Sequence, residues 1–353
     1  MRALDRHGSP ATPALAALWL RRLRRPGEPA ELQHQRACLA RLVVLKLALE
    51  ALDGRCWRLA LLRDLLAEIE AERGNALRLL CRYDAAGLAF REAYGLLRSG
   101  SGAPLALARV MGLEASWCLD THRLPQGRQR ALAAGTLCEL LKAHEDGLRY
   151  RLKAAIALYE SGRSGEAANE LEKAVLQAKG PLPAALRCAA ALNIALYRGE
   201  SGEPEDALRR LEQERGQLRS LSPSPRWEAH YRWMKGRLLL LSKRPAAALD
   251  PLLRAARAFQ RLASAQDFAL CSLDAAIAEM RLGKGREAGH KATVVWSTLR
   301  VLDLPKVAEG AFLLILAASR EGRLKEEMLC RARAEVAALL SLAPDEASLA
   351  PRS

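Results

Sequence analysis

A small turn segment returns along this chain at an almost fixed interval, and few architectures obey such a rule. Its clearest copies are the stretches 160–167, 200–207 and 281–288, where Gly162, Gly202 and Gly283 each precede an alanine by five positions. With that glycine as an anchor, the equivalent positions are Cys81, His122, Gly162, Gly202, Lys243, Gly283 and Gly322, 39 to 41 residues apart. Such a period between amphipathic runs marks a solenoid of helical hairpins, each of which buries its apolar face only against its neighbours.

Two columns of small residues keep the same period. Seven positions before the anchor stand Gly74, Ala115, Ala155, Ala195, Gly236 and Ala276, and five after it Ala86, Gly127, Ala167, Ala207, Ala248 and Ala288. Helices approach closely only where side chains are small, so these columns predict the crossing point within each hairpin. Further along, the pairs Phe90 with Ala93, Leu171 with Ala174 and Leu252 with Ala255 are expected to pack onto the next hairpin. Ile315, Glu327 and Arg331 break the columns in the last unit, as a capping repeat with a wet outer face requires.

Proline tests the layout independently, being tolerated at a helix start and disruptive inside. Pro104, Pro125, Pro181, Pro183, Pro204, Pro223, Pro225, Pro245 and Pro305 fall at or just before predicted helix starts, whereas Pro251 falls inside a helix and predicts a kink. The β-branched run from Thr293 to Thr298 has strand-like residues, but its place in the period makes it helical. The expected architecture is all-α, a right-handed superhelical solenoid of stacked antiparallel helix pairs. Residues 1–10 are expected to be disordered, and 11–55 to form a helical pair (over about 11–24 and 30–52), either a degenerate repeat or a docking element. Seven hairpins then occupy 56–341 and a flexible tail 342–353, with no separate second domain.

Composition agrees. Half of the residues are apolar, yet only 6 Trp, 6 Tyr and 4 Phe occur, so leucine and alanine must fill a helical core. A charged fraction of 27% and the lack of a long apolar run exclude a membrane span and argue against disorder. The net charge of +15 would attract nucleic acid, acidic proteins or anionic lipid, although arginine stems also cover apolar helix surface. The cluster Arg21, Arg22, Arg24 and Arg25 reads first as a solvated face. It follows the apolar stretch 11–20, which is the wrong order for a secretory signal. The cysteines at 38, 56, 81, 118, 138, 188, 271 and 330 are too far apart for a zinc site and suit a reducing cytoplasm.

The set Gly74, Ala86, Phe90 and Ala93, and again Gly236, Ala248, Leu252 and Ala255, carries a family pattern. In these columns the chain resembles tetratricopeptide repeat proteins, specifically the longer repeats of bacterial regulatory solenoids such as the helical sensor portions of large transcription activators. It departs from them in repeat length, since the standard unit has 34 residues, and in lacking most of the Trp and Tyr columns. No attached helix-turn-helix or kinase-like region is recognisable.

Chemistry is hard to place. Lys284, between Gly283 and Gly285, lacks the rest of a phosphate loop, and no strand precedes Gly100 and Gly102 to build a dinucleotide site. His7, His34, His122, His144, His230 and His290 are scattered, so no metal, no cofactor and no catalytic residue is assigned. The acidic pairs Glu145 with Asp146 and Glu326 with Glu327 read as surface charges. The resemblance instead implies a concave groove lined by the first helix of each hairpin. Its positions hold Arg149, Tyr159, Asn193, His230, Trp233, Arg237 and Phe312, a mixture of aromatic and arginine typical of interface anchors. Trp233 and Phe312 read equally well as core, because one residue of register turns a side chain by about 100°. Asn193 matches an asparagine common in the family. The residues that clamp a peptide carboxylate in chaperone-binding members are replaced by Leu113, Leu152 and Ile156.

A non-catalytic scaffold for an acidic or helical protein or peptide segment is therefore expected. The runner-up is a nucleic-acid binder, since Trp227 and Tyr231 share a helix face amid Arg226, Arg232, Lys235 and Arg237. A ligand-sensing solenoid comes third and would need a closed apolar pocket.

Overall fold

The computed structural model describes residues 59–340 except 81, 179–181, 222–223, 263, 301–312, 314 and 321, together with 39, 42–44 and 46. These residues are helices and short turns, without a strand among them. In chain order the helices are α1 (Leu59–Leu79), α2 (Tyr83–Ser99), α3 (Pro104–Asp120), α4 (Leu124–Leu140), α5 (His144–Glu160), α6 (Ser164–Gln177) and α7 (Ala184–Glu200). They continue with α8 (Pro204–Leu221), α9 (Pro225–Leu241), α10 (Pro245–Arg261), α11 (Ala265–Arg281), α12 (Gly285–Arg300) and α13 (Glu326–Leu340). A helical segment at 315–320 precedes α13. The expected helices over 11–24 and 30–52, the anchor Cys81, the prolines 181, 223 and 305, and the tail lie in whole or large part outside the described residues.

The anchors owe their period to backbone geometry. His122, Gly162, Gly202, Lys243, Gly283 and Gly322 all sit at positive φ, from 54° to 105°. Each is the left-handed residue that ends a first helix and starts the turn into its partner. The hydrogen bonds are those of a Schellman motif: His122 N donates to the Leu119 carbonyl at 2.8 Å and Arg123 N to the Cys118 carbonyl at 2.7 Å. Lys243 and Arg244 repeat the pair on Leu240 and Leu239, and Gly283 and Lys284 on Met280 and Glu279. The same turn joins α4 to α5 at Lys142, φ 59°, which the glycine pattern did not reveal.

The small columns meet where the spacing placed them. A Cβ added to Gly127 would lie 3.3 Å from the Ala115 carbonyl oxygen, and one added to Gly236 3.2 Å from that of Ala248. Ala86, Ala115, Ala155, Ala167, Ala248, Ala276 and Ala288 are fully buried. Within hairpins α1 packs on α2, α3 on α4, α7 on α8, α9 on α10 and α11 on α12. First helices are enclosed on most sides, and in α11 every residue from 271 to 279 is buried. Second helices keep a wet face: in α10 the buried set is Ala248, Leu252, Ala255, Ala256 and Phe259, one stripe at helical spacing.

Two sequence features resolve within this frame. Pro104, Pro125, Pro225 and Pro245 occupy first-turn positions. Pro251 lies inside α10, which runs on as one helix, so the missing amide leaves the Ala247 carbonyl without its usual partner. The run Thr293 to Thr298 is helical, within α12. Its hydroxyls turn back on the helix, Thr293 Oγ1 onto the Gly289 carbonyl at 2.9 Å and Thr298 Oγ1 onto that of Val294 at 3.0 Å, so no polar group of the run requires a sheet.

The chain divides into two compact units. One holds α1 to α5 with the end of α6, and the other the start of α6 with α7 to α13. In the first unit, Arg78 at the end of α1 donates to Asp120 at the end of α3 at 2.7 Å, both side chains being nearly inaccessible. Burial pushes the Asp120 carboxyl up to about 6, against the pull of Arg78. In the second unit the corresponding layer is richer, and it coincides with the predicted groove residues.

Candidate functional site

The predicted stripe on α9 is His230, Trp233 and Arg237, at i, i+3 and i+7. Helical geometry puts these on one face, and that face meets α11. Asp274 of α11 is 2% exposed, an acid that the sequence reading did not single out. The Trp233 indole N–H donates to its Oδ2 at 2.7 Å and Arg237 to its Oδ1 at 3.2 Å. Arg333, reaching across from α13, donates to both oxygens. Arg237 also donates to Glu200 at the end of α7. One buried carboxylate thereby ties α9, α11 and α13 together, and Arg237 extends the tie to α7.

Burial pushes the Asp274 carboxyl above the ordinary aspartate range, against the pull of the Arg237 charge and the Trp233 hydrogen bond. A buried carboxylate is tolerated because both oxygens accept charge-assisted bonds.

A second polar group lies one helical turn or two away. Arg226 Nη2 and His230 Nε2 each approach Asp267 Oδ2 at 3.6 Å, and the Ser264 hydroxyl donates to that carboxylate at 2.7 Å. His230 packs edge-on against Phe259 at 4.8 Å between centroids, and Trp233 does so at 5.8 Å. Burial pushes the His230 imidazole below the ordinary histidine range, although Asp267 pulls the other way. Folded His230 thus holds a proton less well than the unfolded chain does. Its contribution to stability is whole above about pH 6.5 and is lost as the pH falls below that. Thermal melts are expected to show a smaller loss of stability on acidification for His230→Gln than for the parent chain; an equal loss would assign the pH dependence to other groups.

The remaining predicted residues are dispersed. Arg149 on α5 is half-exposed and pairs with Glu145 and Asp146 of its own helix. Tyr159, on the same helix, is half-buried. Asn193 on α7 turns its amide back onto the Ala189 carbonyl at 2.8 Å. Phe312 lies outside the described residues. Trp233 is a partly buried ring with its polar edge committed to Asp274.

The aromatic pair Trp227 and Tyr231 is corrected. The rings stack on each other at 5.5 Å, 1% and 2% exposed, and belong to the core between α9 and its neighbours. No base could stack on them. The cations around them are paired as well: Arg232 with Glu228 at 3.0 Å, Lys235 with Glu212 at 2.6 Å and Arg237 with Glu200. Helix spacing alone could not reveal this, since in a sandwiched first helix nearly every face is an inner face.

Among the described residues no group of three or more His, Cys, Asp or Glu could hold a metal ion, and no helix is long and apolar enough to cross a membrane. Cys118, Cys138 and Cys188 are free thiols that burial pushes up to about 11, so they stay protonated at neutral pH.

A stack of helical hairpins whose first helices carry aromatic, arginine and asparagine side chains, joined by polar ties, has a counterpart among solved structures. The chain is similar in fold to a Rap protein. That structure is a Rap protein complexed with competence and sporulation factor; the match has a TM-score of 0.56 at 12% sequence identity and covers 92% of this chain and 98% of the Rap chain. Likeness to the Rap protein at this identity establishes the helical-repeat fold and nothing finer. No protein-family model matches the sequence, and no curated protein matches it.

Proposed function

We propose that this chain is a non-catalytic, peptide- or protein-binding helical-repeat scaffold of the bacterial cytoplasm that uses the face of its first helices. The observation that carries the reading is the near end-to-end likeness to a Rap protein that was solved in a complex. The character of the face supports it. Arg149 and Tyr159 in one unit, and Asn193, His230, Trp233 and Arg237 in the other, stand in first helices, and none is fully buried. The partner segment is acidic or helical: an acidic side chain would compete with Glu200 for Arg237 and with Glu145 for Arg149.

The test is an affinity pull-down from native lysate at two salt concentrations, with and without nuclease, using the parent chain and the double variant Arg149→Ala with Asn193→Ala. Neither side chain is fully buried, so circular dichroism is expected to be unchanged in the variant. The reading expects a defined protein or peptide that survives nuclease and is lost with the variant. Retention only of nuclease-sensitive, salt-labile material would overturn it in favour of nucleic acid.

A further inference from the structure

Away from the first-helix face, α2, α3 and α4 border a polar cavity, open to solvent, of about 420 Å³ in the first unit. Its floor is aromatic and fixed. Trp117 donates its indole N–H to the Tyr83 carbonyl at 2.9 Å and lies 6.1 Å from Phe90. Gly87 is what lets the ring in, because a Cβ there would come within 2.7 Å of Trp117 Cζ2.

The walls are basic. Arg91 comes from α2, Arg123 from the turn before α4, and Arg130 from α4 itself. Arg130 is held in place by Glu114, Nε to Oε2 at 2.8 Å, and Glu114 also accepts from the Tyr94 hydroxyl at 2.5 Å. Arg123 lies over the Trp117 ring at 4.7 Å, and neither it nor Arg91 has a carboxylate partner among the described residues. Three guanidiniums thus face one carboxylate. The amides of Gln126 and Gln129 complete the lining.

The repeat supplies no acid here. Gln126 occupies the column four after the anchor, where Ala85 and Ala247 stand in two other hairpins and Glu166, Asp206, Glu287 and Glu326 in four. The first turn of α4 consequently holds no acid, and no side chain caps it. Two uncompensated positive charges thus remain on one small polar cavity.

We propose that this cavity binds a small molecule bearing a phosphate group. A phosphomonoester carries close to two negative charges at neutral pH, which matches the surplus, whereas a single carboxylate would leave half of it. Guanidinium forks suit phosphate oxygens bidentately. The volume exceeds what a bare phosphate fills and is in the range of small-ligand sites, leaving room for an organic body beside the two glutamine amides. This site is separate from the face assigned to the peptide or protein partner, and its test does not depend on that reading.

The experiment is isothermal titration calorimetry of the full chain with inorganic phosphate, AMP, glycerol phosphate, adenosine and succinate, repeated for Arg91→Gln and Arg123→Gln. Both arginines are exposed, so folding is expected to be intact, with helical circular dichroism as the check. The expected result is saturable binding of AMP or glycerol phosphate, none of adenosine, weaker binding of succinate, and a loss of about tenfold or more in each variant. Absence of saturable binding by either phosphomonoester would overturn the proposal. So would equal binding of succinate, or affinities unchanged in both variants.

Discussion

Replacing Asp274 by alanine is expected to lower the unfolding free energy by about 3–4 kcal/mol, the cost of removing one partner from a buried ionic group. The carboxylate receives Trp233, Arg237 and Arg333, and its removal leaves their donors facing an apolar gap. Glu200 would still hold Arg237, so the indole N–H and the Arg333 guanidinium carry most of the loss. Asp274→Asn keeps an acceptor for Trp233 without the charge, and roughly half of the loss is expected. Urea denaturation followed by helical circular dichroism measures both. A loss for the alanine variant below about 1 kcal/mol would mean that water satisfies the arginines, and that the four helices are not tied through this residue.

Two glycine substitutions are expected to move stability in opposite directions. Gly236 stands at the crossing of α9 and α10, where an added Cβ would lie 2.5 Å from Leu252 Cγ and 3.2 Å from the Ala248 carbonyl oxygen. Leu252 is fully buried and cannot swing away, so Gly236→Val forces the helices apart at a cost of about 3 kcal/mol. Gly216, exposed in α8, has nothing within 4 Å of such an atom. Gly216→Ala is expected to gain up to about 1 kcal/mol from helix propensity alone. The same denaturation series compares them, and a neutral Gly236→Val would remove the crossing point as an explanation of the small columns.

The repeat was legible because its markers are steric. Left-handed turn residues and close helix crossings admit few side chains, so both leave periodic traces even where His122 or Lys243 replaces glycine. The polar layer left a weaker trace. Asp274 looks like any helical acid until Trp233 and Arg237, about one period earlier, are brought beside it. Trp227 and Tyr231 misled for a related reason: spacing fixes which residues share a face, but in a helix packed on most sides it does not say which face is wet. The basic cavity by α4 was invisible because no single position announces it: Gln126, in a column that holds an acid in four hairpins and alanine in two, matters only once Arg91 and Arg123 converge on it.

The cross-hairpin ties also bear on how the chain is made. Arg78 reaches Asp120 over 42 positions, Arg237 reaches Asp274 over 37, and Arg333 reaches back 59 to the same carboxylate. Contacts so near in sequence close short loops, which favours rapid folding over a slow search for distant partners. At typical synthesis rates, one further repeat emerges from a ribosome in roughly 2–8 seconds. A newly made hairpin therefore waits only that long for the neighbour that covers its apolar side and neutralises its buried charge.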